Sequence, residues 1–158
     1  GVGPAIPHLM MVIGAALLAG VAYAIVTEAM GASVAGIGVF YGTVEPTVGW
    51  ITHEFHSVVF GLVYLGLLAL LPHRYHDNVL AYLLVGIGWG LALWILAAGI
   101  VAPVWLRLLG FPATLPNLTL RFLATHLAWG VTLALGTALG FRYVTPRLRE
   151  LTARWQAG

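Results

Sequence analysis

Cysteine and lysine are both missing from this 158-residue chain, and it has only five acidic residues. Without a thiol there is no disulfide, no thiolate metal site and no cysteine nucleophile. Charged residues make up 8% of the chain and hydrophobic ones 61%, a surface that water solvates poorly and that excludes an ordinary soluble domain. Also lacking are a phosphate-cradling glycine loop, a dinucleotide fingerprint, a nucleophile elbow and a selectivity-filter motif, which removes the enzyme and channel classes that depend on them. The terminal cluster Arg147, Arg149 and Arg154 is interrupted by Glu150 and is too short for a nucleic-acid footprint. Anionic lipid is its simpler partner.

What is present is apolar sequence in four long runs, at about 8–28, 51–71, 79–106 and 118–141. Each is close to or above the roughly 20 helical residues needed to cross a hydrocarbon core of about 30 Å. The reading is an all-α polytopic membrane protein, one domain over 1–158, with four transmembrane helices in a compact bundle. The first run has neither a basic start nor a processing site and is expected to remain as a helix. Pro4 and Pro7 fit its lead-in, Pro72 and Pro146 fit the exits of the second and fourth helices, and Pro103 is expected to kink or end the third. Arg74, Arg142, Arg147, Arg149 and Arg154 fall on one side of the four crossings and Arg107 and Arg121 on the other, which predicts cytoplasmic termini. The outer connection 31–49 is apolar and Gly-rich. It is expected to cap the bundle as a surface or interfacial segment, or to dip into it as a re-entrant one, because irregular backbone exposed to lipid would leave its amides unpaired.

Two features speak to assembly. Thr52-His53 in the second helix is echoed by Thr125-His126 in the fourth, and Arg74-Tyr75 by Arg142-Tyr143, suggesting two parallel two-helix repeats about an axis along the membrane normal. Small residues spaced by four, Ala15 and Ala19, Gly86 and Gly90, Gly136 and Gly140, with Gly130 before Ala134, allow close helix packing.

Ionisable groups inside hydrocarbon are costly and often functional. His53, Glu54 and His56 begin the second helix, Glu28 ends the first, Glu45 precedes the second and His126 lies near the start of the fourth, so all six fall toward the outer end. His53 and His56 are expected to share a helical face continued by Ser57, Gly61 and Tyr64. Four uses remain open: a hydrogen-bonded helix-end network; haem b held by His126 with His56 or His53; Zn²⁺, Cu²⁺ or iron bound by His53, His56 and His126 with Glu28, Glu45 or Glu54; or proton or ion handling. His73, Arg74, His76 and Asp77 are read as an interfacial turn that caps helices at the inner end.

Gly49-Trp50, His53, His56, Gly61 and Leu71-Pro72-His73-Arg74, followed by Gly88 to Trp94, Gly99, Pro103, Gly110-Phe111-Pro112, Pro116-Asn117 and His126, together resemble an uncharacterised group of small four-helix inner-membrane proteins common in halophilic archaea, with bacterial relatives. That resemblance implies a four-helix fold and no particular reaction. The expected role is a non-catalytic membrane subunit or scaffold, surrounded by lipid and associating as a homo-oligomer or within a larger complex. A haem- or metal-bearing electron-transfer protein and a small ion or proton transporter are the alternatives.

Overall fold

In hydrocarbon every backbone N–H and C=O must find a partner within the protein, and a helix achieves this without help from its neighbours. The computed structural model describes residues 5–158 and has four such helices. They are α1 (Ile6–Ala29), α2 (Pro46–Ala69), α3 (Val79–Leu108) and α4 (Leu120–Ala157), each long and apolar enough to span a membrane. Pro4 lies outside the described residues, whereas Pro7 sits in the first turn of α1, where its missing N–H is not needed. The chain is a multi-pass membrane protein. Four crossings bring both termini to one end, here the terminal end, and α2 and α4 both start at the other, the histidine end.

Pro72 follows the end of α2 as expected, whereas other prolines do not mark helix ends. α2 starts at Pro46, five residues before the apolar run, because proline's fixed φ suits a first helical position. Pro103 and Pro146 end nothing. Each follows a π-helical stretch, Trp94–Val101 and Gly140–Val144, and α3 and α4 continue beyond them. Pro103 offers no N–H to the carbonyl of Gly99. Asn117, from the 110–119 connection, supplies one instead at 2.9 Å. At the turn between α2 and α3 the cap on α3 is Asn78, whose side chain accepts from the Ala81 N–H, rather than the charged residues before it.

The internal repeat appears in the packing itself. On α1 and α2, Ser57 donates to the Ala16 carbonyl, Gly61 abuts Ala16, and His53 Nε2 donates to the Gly20 carbonyl. Adding 70 to the α1 numbers and 73 to the α2 numbers gives Gly86 with Gly130, Gly86 with Ala134, and Gly90 with His126, which are close approaches of α3 and α4. A Cβ on Gly86 would lie 2.6 Å from the Gly130 carbonyl oxygen, and one on Gly90 would lie 2.6 Å from that of His126. These glycines let two backbones touch. Arg74-Tyr75 and Arg142-Tyr143 do not keep this register, since α2 has already ended at Ala69 and Arg142 lies inside the π stretch of α4.

The two seams between the hairpins are unequal. α1 and α4 pack closely, with Ala15 against Gly136 and Met11 against Gly140. α2 meets only the Val79–Leu93 half of α3 to any extent, through the Tyr64 hydroxyl on the Tyr82 carbonyl (2.8 Å) and the Trp89 indole on that of Phe60 (2.9 Å). In the other seam the positions matching Phe60 and Trp89 are Leu133 and Ala19, both fully buried. An indole thus stands where its counterpart is a methyl group. Toward the histidine end of this looser seam lies a cavity.

Candidate functional site: a histidine-lined cavity

The cavity has a volume of about 510 Å³ and takes walls from all four helices. Its lining is mostly apolar, with Phe60, Leu93, Val101, Trp105, Phe122 and Trp129 among the larger contributors. The π stretch of α3 forms one side with small residues, Ala97 and Ala98, followed by Ala102. The 31–49 connection forms the roof. Its residues Val34–Tyr41 make a 3₁₀ segment started by the Ser33 side chain, which accepts from the Ala35 N–H, and this segment lies on α2. Glycine is required at position 49, where a Cβ would fall 1.8 Å from the Ala35 carbonyl oxygen. Phe40 and Tyr41 reach across to Trp105 of α3, with ring centroids 5.4 and 5.3 Å away. The connection is therefore a cap held by aromatic contacts from Phe40 and Tyr41.

Three histidines line the cavity. His53 and His126, at matching positions of the repeat, are 6% and 8% exposed, and both pack on the ring of Tyr23, at 5.0 and 5.2 Å. His53 lies on the buried stripe of α2 that continues through Ser57, Gly61, Tyr64 and Leu68. His56 is turned off that stripe and is half-buried beneath the cap, where its Nε2 shares a 2.5 Å hydrogen bond with the Tyr41 hydroxyl. The expected common face of His53 and His56 is thus divided between bundle and roof, although both reach the same cavity.

Hydrogen bonding fixes which nitrogen of each buried ring carries the proton. A carbonyl oxygen can only accept, so His53 Nε2, 2.8 Å from the Gly20 oxygen, must hold a hydrogen. By the same logic His126 holds one on Nδ1, 2.6 Å from the Phe122 oxygen. In the neutral ring this leaves a lone pair on His53 Nδ1 and another on His126 Nε2. Neither nitrogen has a hydrogen-bond partner among the described residues. Next to His126, Trp129 donates to Ser57 Oγ at 2.8 Å, and Ser57 donates onward to Ala16, tying α4, α2 and α1 together through one hydroxyl.

The acids do not join the imidazoles as a set. Glu28 and Glu45 are exposed. Glu54 Oε1 is buried without a hydrogen-bond partner, 3.9 Å from His53 Nε2, which is beyond hydrogen-bond length. Among the described residues no group of three or more His, Asp and Glu side chains converges as a metal ion would need. Tyr23 and Trp129 were not singled out from the sequence, where an aromatic residue in an apolar helix reads as core. Only the tertiary fold reveals that they frame the imidazoles.

The chain matches no family model, no curated protein and no solved structure.

Proposed function

We propose that this protein is a non-catalytic membrane component that holds an apolar, ring-sized ligand drawn from the surrounding bilayer. The observation that carries this reading is the cavity between α2 and α3, whose volume of about 510 Å³ falls within the roughly 300–1,000 Å³ of small-molecule sites. No Lys, Arg, Asp or Glu lines it, which favours a neutral ligand. Its walls come from four membrane-spanning helices, and entry of the ligand from lipid is part of this proposal. Toward the terminal end the core is filled by Tyr64, Leu133 and Tyr82. A pocket closed below in this way suits retention better than transport. The arginine distribution supports cytoplasmic termini, with the cavity at the opposite end.

Haem b is the second reading, favoured by His126, whose Nδ1 rests on a carbonyl and whose Nε2 is open, the second-shell arrangement of ligating imidazoles. Its weakness is the partner ligand. His56 would have to leave Tyr41, and His53 offers only Nδ1.

Protein extracted from its native membrane in mild detergent, then examined by optical spectroscopy and by mass spectrometry of the co-purifying small molecules, separates these readings. The expected result is a neutral apolar compound near one per chain, lost in Ala98→Phe, which places a ring inside the cavity. A haem absorption band would favour the second reading. A small-molecule content equal to that of Ala98→Phe would overturn both.

A further inference from the structure

We propose that the ligand is a membrane-soluble aromatic alcohol of the quinol or phenol class, held by a hydrogen bond from its hydroxyl to His126 Nε2. This rests on the cavity being a ligand site and adds the chemistry that the site selects. The two buried imidazoles determine it. Each gives its N–H to a backbone carbonyl, His53 to Gly20 and His126 to Phe122, so each turns an acceptor rather than a donor toward unpaired space. Of the neighbouring polar groups, Ser57 bonds Ala16 and Trp129 and Thr27 bonds the Tyr23 carbonyl, while the Tyr41–His56 pair keeps one proton beyond the bond it shares and the Trp105 indole keeps its N–H, so donors sit by the cap and the open acceptors sit at the buried imidazoles.

A ligand with only acceptor oxygens, such as a quinone or an ether, would set a lone pair against a lone pair at His126. One with an O–H completes the pair. The walls select the rest of the molecule. Tyr23, Phe60, Phe122 and Trp129 surround the imidazoles with π-faces and edges that suit a planar ring, and no charged side chain is present to receive a carboxylate or an ammonium group. Because His53 and His126 occupy matching positions of the repeat, the site offers two acceptors from opposite hairpins. A ring bearing two hydroxyls is the natural complement, and His126 is the primary contact because its open nitrogen is Nε2, the far tip of the ring.

The test uses purified full-length protein in nanodiscs and three probes that share one ring and one tail: decyl-benzoquinol kept reduced, the matching benzoquinone, and the benzoquinol dimethyl ether. Binding is read by tryptophan fluorescence and confirmed by equilibrium partitioning. The quinol should bind about tenfold more tightly than the dimethyl ether, the worth of about one hydrogen bond. The quinone should also bind more weakly than the quinol, since neither of its oxygens can donate to His126 Nε2. In His126→Phe the preference should fall to nearly nothing while the ether's own affinity is kept, and Ala98→Phe should abolish binding of all three. Equal binding of the three probes by the unaltered protein would overturn the aromatic-alcohol assignment and leave the cavity reading intact. Failure of all three to bind would overturn both. The comparison among probes needs no variant, so misfolding of His126→Phe does not decide the outcome.

Discussion

Substituting Gly130 with alanine tests the packing that the sequence repeat reveals. A Cβ at this position would stand 2.4 Å from the Gly86 carbonyl oxygen and 3.0 Å from its carbon. Carbon and carbonyl oxygen rest at about 3.3–3.6 Å, so α3 and α4 must separate by about 1 Å to admit one methyl group. Both contacting atoms belong to backbone, and no side chain can swing aside. A gap of about 0.5–1 Å forfeits a quarter to a half of the dispersion energy along the opened interface, and overpacking of this kind costs about 1–3 kcal/mol. The right control is Gly88→Ala, two residues from Gly86 on α3, where nothing lies within 4 Å. Alanine there relieves glycine's helix penalty and should be neutral or slightly stabilising. Thermal unfolding followed by circular dichroism in detergent, with monomer recovery by size exclusion after heating, compares the two. Gly130→Ala melting at or above Gly88→Ala would refute the direct backbone contact between α3 and α4.

Ser57→Ala removes the acceptor of the buried Trp129 indole and should destabilise by about 1–3 kcal/mol, with a shift in Trp129 emission checked against Trp129→Phe. Glu54→Gln keeps the shape of a side chain whose buried oxygen has no partner, so stability measured by the same melt should be unchanged or higher, whereas a clear loss would indicate that the carboxylate is paired. The Asn117 amide, though in a connection, donates to Gly99 and should exchange with solvent as slowly as helical amides by hydrogen–deuterium exchange; rapid exchange would contradict that bond.

The architecture was legible because hydrocarbon solvent leaves so few options. Twenty apolar residues between charges in a chain this poor in charge can hardly be anything but a span, and four of them give the bundle. Helix ends were less legible. Pro103 and Pro146 carry a strong local stop signal that was overridden by π turns and, for Pro103, by an amide arriving from a distant connection. At the site, ionisable residues stood out against an apolar background, and the sequence singled out His53, His56 and His126 while Glu28 and Glu45 proved exposed. What sequence could not convey was the protonation pattern of the rings, since it depends on which carbonyl each nitrogen meets. The bond from Trp89 to the Phe60 carbonyl was equally hidden, because an indole in an apolar helix says nothing of the seam it will occupy.

The inequality of the two seams has a consequence for how such a site can arise. A pair of identical helical hairpins associating about a two-fold axis has two seams that are the same by symmetry, so it must open two pockets or none. Joining the hairpins in one chain releases that constraint, because each residue can then change without its mirror changing too. Ala19 against Trp89, and Leu133 against Phe60, are differences of this kind. A single off-axis pocket, with its opposite number sealed, is therefore a property open to a fused chain and closed to a homodimer of its halves.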